Sequence, residues 1–147
     1  MNDDKNALAI ALFTEVMAAD QLVRARLSRV LPKGMEISHF SVLNHLAWVS
    51  DERTPAQLAE TFHVTRGAMT NTLSKLEWAG YIHIRPDWDD ARRKFVAISP
   101  AGCQARDHAV GAVTPFINQM VEKMGAERVR GALPILREMR IQLDEGD

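Results

Sequence analysis

Between Thr65 and Lys94 the chain gathers side chains suited to one kind of chemistry, the reading of a polyanionic duplex. Arg66, Thr70, Asn71, Ser74 and Lys75 fall at helical spacing on one face, while Met69, Leu73 and Leu76 fall on the other. A helix with one hydrogen-bonding face fits the major groove, about 12 Å wide, where each base pair shows its own donor and acceptor pattern. There Asn71 can pair with an adenine edge, and Arg66 with guanine or a phosphate. Thr65, Thr70 and Ser74 suit phosphates, Lys75 adds a cation, and Gly67 and Ala68 permit close approach. A second group, Arg92, Arg93 and Lys94 with Arg85 upstream, makes a cationic tip. Such a tip can reach the adjacent minor groove, whose negative potential favours arginine most where the groove is narrow.

Other chemistries find little support. Asp87, Asp89 and Asp90 lack the glycine and the closing glutamate of a calcium loop. The five histidines, 39, 45, 63, 83 and 108, form no HExxH motif and no close ligand pair, so neither metal nor cofactor is expected. No nucleophile–base pair or phosphate loop stands at a useful spacing, which argues against an enzyme. A single cysteine, Cys103, allows no internal disulfide and is expected as a small packed residue.

Composition sets the frame. The chain has 147 residues, 46% hydrophobic and 25% charged, which suits one domain, or one domain with an added oligomerisation element. The start lacks a secretory pattern and no unbroken apolar run reaches membrane-spanning length, so a cytoplasmic protein with no membrane partner is expected. Net charge is −1, and residues 51–98 hold seven basic and seven acidic residues, so any basic surface is local. That balance keeps a second class open, a winged-helix protein-interaction module without DNA binding. The polar helix face and basic tip speak against it, because such a module would more readily show acidic or apolar residues there.

The elements that must position these groups follow from periodicity and punctuation. Residues 5–31 have neither glycine nor proline and carry a wide apolar stripe, which predicts a helix of roughly 27 residues, about 40 Å long. A monomer of this size struggles to bury so long a helix, which hints at a partner chain. Ser38 can cap a second helix over residues 39–50, with Phe40, Leu43, Leu46 and Ala47 inward. Thr54-Pro55 with Gln57 reads as a capping box with proline at the first helical position. Ala59 is the small residue where two helices cross, and Val64 the apolar residue after the turn. Thr65 caps the fourth helix and Gly80 ends it. Two alternating runs, 81–85 and 95–99, enclose a polar loop and predict a β-hairpin. Ser99-Pro100 opens a helix with a kink expected at Pro115, and a last helix covers about 126–143. The fold expected is mainly α with a small β-hairpin wing.

At these residues a resemblance emerges. Leu58-Ala59-Glu60, Val64-Thr65-Arg66, Leu73-Ser74-Lys75-Leu76-Glu77 and Gly80-Tyr81-Ile82 are followed by Arg85-Pro86-Asp87, Asp90-Ala91-Arg92 and Ile98-Ser99-Pro100-Ala101-Gly102. The sequence resembles the MarR family of bacterial winged-helix transcription regulators over nearly its whole length. The resemblance implies a winged helix-turn-helix head over residues 35–98 and a helical dimerisation region from residues 1–34 and 99–147. It further implies a homodimer acting on a pseudo-palindromic operator, with residues 66–77 as recognition helix, Arg92 as wing arginine and Asp90 orienting the wing. His63 and Trp88 depart from the usual pattern, at the turn and at the wing tip. Family members commonly bind small aromatic or phenolic anions. Phe13, Met17, His39, Phe40, His45 and Trp48 are the lining this implies, with Arg85 as anion partner.

Overall fold

A computed structural model describes residues 2–146; Met1 and Asp147, the outer ends of the expected helical region, lie outside the described residues. The order is α1 (Asn2–Val30), α2 (Ile37–Trp48), α3 (Pro55–Thr61), α4 (Arg66–Trp78), β1 (Ile82–Pro86), β2 (Lys94–Ile98), α5 (Pro100–Met124) and α6 (Ala126–Glu145). The chain divides into two compact units, one up to Val110 and one from Gly111 onward.

The first unit holds the core. Val42, Leu43 and Leu46 of α2, Leu58 and Ala59 of α3, Met69, Leu73 and Leu76 of α4, Ile82 of β1 and Val96 of β2 form one buried cluster. Each fully buried leucine contributes about 2 kcal/mol through removal of apolar surface from water. The two strands pair antiparallel, with Ile82 opposite Ile98 and Pro86 opposite Lys94. An isolated bridge adds Arg53 to the outer side of β2: its N–H donates to the Val96 carbonyl at 3.1 Å and its carbonyl accepts from Val96 N–H at 2.7 Å.

The punctuation explains the boundaries. Thr54 Oγ1 accepts from Gln57 N–H at 3.1 Å while Thr54 N–H donates to Gln57 Oε1 at 2.9 Å, the reciprocal box expected. At the end of α4, Gly80 takes φ of +80° and Tyr81 N–H donates to the Leu76 carbonyl at 3.0 Å, a Schellman stop. Buried Ser99 caps α5: its Oγ accepts from Gly102 N–H at 3.0 Å and donates to the Gly80 carbonyl at 2.6 Å.

Helix α2 differs from expectation. It begins after Glu36, not Ser38, and buries His39, Val42, Leu43 and Leu46, leaving Ala47 exposed. The reason is that His39 supplies the cap bond: its Nδ1 accepts the Glu36 N–H at 3.1 Å. That bond needs the neutral ring. Burial, together with nearby Lys75, lowers the His39 pKa from its usual 6.5 against the opposing pull of Glu36, with burial the largest cause. The unfolded chain therefore takes up the proton more readily. This contribution to stability is complete above about pH 6.5 and is lost as pH falls below it. Melting temperature followed from pH 8 to pH 5 should fall more for wild type than for His39→Gln. Parallel curves would contradict the cap.

Helix α1 presents nearly all of its length to solvent in the single chain, including Leu8, Ile10, Phe13, Met17 and Leu22. Its length and composition also suffice for a membrane crossing, although it holds no unbroken apolar run of that length. Glu15 and Asp20 interrupt the run but are too sparse to lower its average. In the second unit α5 continues past Pro115 as a single helix to Met124. Gly125, at φ of +95°, separates it from α6. Helix α6 contains no buried residue and exposes Ile135, Leu136, Ile141 and Leu143. Cys103 is exposed on α5, contrary to the packed role expected of it.

Candidate nucleic-acid interface

The site is built around α4. Thr65 Oγ1 accepts from Ala68 N–H at 3.1 Å, which fixes the first turn and commits the threonine oxygen to the cap. Met69, Leu73 and Leu76 anchor the inner face in the core. That anchoring leaves Arg66, Gly67, Ala68, Thr70, Asn71, Ser74 and Lys75 exposed together, as the spacing predicts. The turn before α4 is tight: Val64 N–H donates to the Ala59 carbonyl at 3.0 Å, and His63 takes φ of +52°. A left-handed histidine costs on the order of 1 kcal/mol, which a glycine would not incur. Val64 is partly exposed, at 43%, so it closes the turn less completely than expected.

The hairpin stands beside this face. Pro55, Thr70, Leu73, Ser74 and Glu77 form one wall of a cleft of about 330 Å³, and Ile84, Arg85, Pro86 and Lys94 form the other. Thr70 and Ser74 on one side and Arg85 and Lys94 on the other put polar groups on both walls, among apolar neighbours and with the carboxylate of Glu77 among them.

Two fastenings hold the base of the hairpin. One is the Arg53 bridge to Val96. The other is Arg85, whose Nε and Nη2 donate to the Glu52 carboxylate at 2.9 and 2.8 Å. That hydrogen bond raises the Arg85 pKa further above its usual value, and the guanidinium also lies 4.8 Å over the Phe95 ring. The structure thus places Arg85, expected among the contact cations and as an anion partner, in an ion pair at the base of the wing. Glu52 escaped the sequence reading because 33 residues separate it from Arg85.

The tip is braced differently. Asp90 Oδ1 accepts the Arg92 backbone N–H at 3.0 Å and its Nε at 3.3 Å, an arrangement that fits the wing-orienting role the family resemblance implies. The Arg92 side chain is still 92% exposed. Arg93 lies 3.9 Å from Asp87 and 5.6 Å over Phe95, so it runs back along the strand. Lys94 is exposed beside the cleft.

The expected ligand lining is scattered. Phe13, Met17 and Trp48 are exposed, His45 packs edge-on against Phe62 at 5.6 Å, and Phe40 is half-buried. Of that set, only His39 lines a second cavity of about 330 Å³, with Lys33, Met35, Lys75, Trp78 and Tyr81 among its walls. Lys75 and Trp78 lie one turn apart on the same side of α4, but the other walls come from segments distant in sequence. Sequence spacing alone therefore gave no sign of it.

A capped helix with a buried apolar face and an exposed polar one, flanked by a fastened two-stranded hairpin, defines a winged helix-turn-helix protein. Residues 33–93 match the sequence model of the MarR family. Solved structures of that fold align over most of the chain. The transcriptional regulator BldR from Sulfolobus solfataricus is 25% identical, with TM-score 0.73, over 88% of this chain and 95% of its own. A mutant of MarR from E. coli, complexed with operator DNA, is 22% identical, with TM-score 0.77, over 89% and 94%. A MarR family transcriptional regulator from Streptomyces coelicolor is 20% identical, with TM-score 0.79, over 95% and 97%. No curated protein matches the chain by sequence. Residues 33–93 are thus similar in sequence to the MarR family, and the fold of the chain is that of solved MarR-family regulators.

Proposed function

We propose that this chain is a transcription regulator that binds duplex DNA as a homodimer, with α4 in the major groove and the wing in the adjacent minor groove. The observation that carries the reading is the Asp90-braced, almost fully exposed Arg92 on a hairpin that shares a cleft with the polar face of α4. Asn71, Arg66 and Lys75 read or position; Thr70 and Ser74 meet phosphates; Gly67 and Ala68 keep the approach close. The MarR structure with operator DNA supports this by analogy of fold. An organisation into a head at 35–98 and a dimerisation region at 1–34 and 99–147 belongs to the same proposal. The apolar faces of α1 and α6 support it, because a second copy of the chain would cover what one copy exposes. That assignment leaves α1 no need of a membrane and puts the protein in the cytoplasm with its DNA. The two recognition helices of a dimer would then sit about one DNA turn, roughly 34 Å, apart on a pseudo-palindrome.

A repressor role, with DNA affinity weakened when a small aromatic or phenolic anion binds, is the finer part of the reading. The cavity walled by His39, Lys33, Lys75, Trp78 and Tyr81 supports it by size, near the lower end for ligand pockets, and by its cations.

Selection of bound sites from a random duplex pool tests the reading. Wild type should return a two-fold related half-site, and Asn71→Ala should relax preference at one position in each half. An unchanged profile would remove Asn71 from base reading, and failure to enrich any site would remove sequence-specific binding.

A further inference from the structure

The wing carries one large apolar side chain at its tip. Trp88, at the loop tip, is 82% exposed. The chain's two other exposed tryptophans differ in setting: Arg106 lies 5.9 Å over the Trp48 ring, and Trp78 walls a cavity. We propose that Trp88 is a DNA-contacting wedge, its indole entering the minor groove beside Arg92 and packing on sugar or on a base step. The inference rests on the DNA-binding reading and assigns to it a residue and a kind of contact.

Loop geometry supports it. The Asp87 side chain is 12% exposed; its Oδ1 accepts the Asp89 N–H at 2.9 Å and its Oδ2 faces Arg93. Asp87 N–H donates to the Arg93 carbonyl at 3.1 Å, and Arg93 N–H to the Asp90 carbonyl at 3.0 Å. Asp90 is engaged by Arg92. Two of the three carboxylates at the tip are thus bound to the loop's own backbone and arginines. Their negative charge is partly neutralised, and the turn they close leaves Trp88 outside it. Asp89 keeps an exposed carboxylate and opposes the approach to DNA, while Arg92, Arg93 and Lys94 favour it. With its base fastened at Arg53 and at Glu52–Arg85, the hairpin can hold the indole in place at little further cost in entropy. An indole offers 150–250 Å² of surface to bury, and apolar wedges at minor-groove steps are an established physical device. A protein partner for Trp88 is the competing occupant; the run of three cations beside it favours the polyanion.

Anisotropy titrations of a duplex selected by the wild type, in a series of KCl concentrations, separate the possibilities. Trp88→Ala should weaken binding about tenfold while leaving the slope of log K against log salt unchanged, because no phosphate contact is lost. Trp88→Phe should keep most of the affinity. Arg92→Ala should lower the slope by about one. A 2-aminopurine at the base step under the wing should brighten with wild type and not with Trp88→Ala. Thermal melting of Trp88→Ala should match wild type, since the side chain is exposed. Equal affinity of Trp88→Ala and wild type, as a role in protein contact would give, overturns the wedge alone. A Trp88→Ala slope change as large as that of Arg92→Ala also overturns it. No binding of any duplex by wild type overturns both the wedge and the DNA-binding reading.

Discussion

Replacing Gly102 with alanine should lower the melting temperature of the protein by about 10 °C, corresponding to a loss on the order of 3 kcal/mol. A Cβ on Gly102 would collide with the Tyr81 carbonyl oxygen and stand 2.8 Å from Ile98 Cγ1. The carbonyl cannot easily withdraw. It accepts the Ser99 N–H at 2.9 Å, and the preceding residue, Gly80, accepts from the Ser99 hydroxyl. The end of α4, the start of β1 and the first turn of α5 are thereby locked at one point. Pushing them apart would disturb the end of the recognition helix and the root of the wing together. Gly67→Ala offers a control, because nothing lies within 4 Å of a Cβ there. The same chemical change at Gly67 should be neutral or slightly stabilising for the fold. Calorimetry of the two variants decides; Gly102→Ala melting with wild type would show that the close approach is not needed.

The second large effect concerns binding. Arg92→Ala should cost about 1–3 kcal/mol of DNA affinity, roughly 5- to 150-fold, with no change in melting. The fold is spared because the side chain is almost wholly in solvent and its ties among the described residues are to Asp90. Asp90→Ala should lose a smaller part of the affinity, since the arginine remains but its backbone N–H and Nε lose the acceptor that sets their direction. Arg85→Ala should behave differently again. It breaks the Glu52 pair at the base of the wing, so its effect should appear in stability as well as binding. Identical affinities for wild type and Arg92→Ala would take the wing out of the mechanism.

The pattern of what the sequence disclosed has a physical basis. Thr54 with Gln57, Thr65 with Ala68, and Ser99 with Gly102 are bonds between residues three apart, so capping signals in the sequence expose them; Asp90 with Arg92, two apart, was pointed to by the family resemblance. The polar face of α4 was legible because its opposite face is strictly apolar. What escaped was set by distant partners or by an atypical group. The Arg53–Val96 bridge and the Glu52–Arg85 pair join segments that only the fold brings together. Helix α2 was displaced in register because a histidine nitrogen serves as the acceptor at a position where glutamate or glutamine is the usual sign. The anticipated ligand lining was carried over by resemblance, and the cavity that contains His39 is walled instead by the α1–α2 connection and the end of α4. The wide apolar stripe expected on residues 5–31 lies in solvent in the single chain, as do Ile135, Leu136, Ile141 and Leu143 of α6, and the proposed second copy is what would cover them.

One measurement bears most directly on the central claim. Purified protein would be titrated into a fluorescent two-half-site duplex at increasing KCl, with light scattering of the complex to count chains. The account predicts two chains per duplex and an affinity that falls steeply and log-linearly with salt. Absence of binding at low ionic strength, or a single chain bound with no salt dependence, would contradict it.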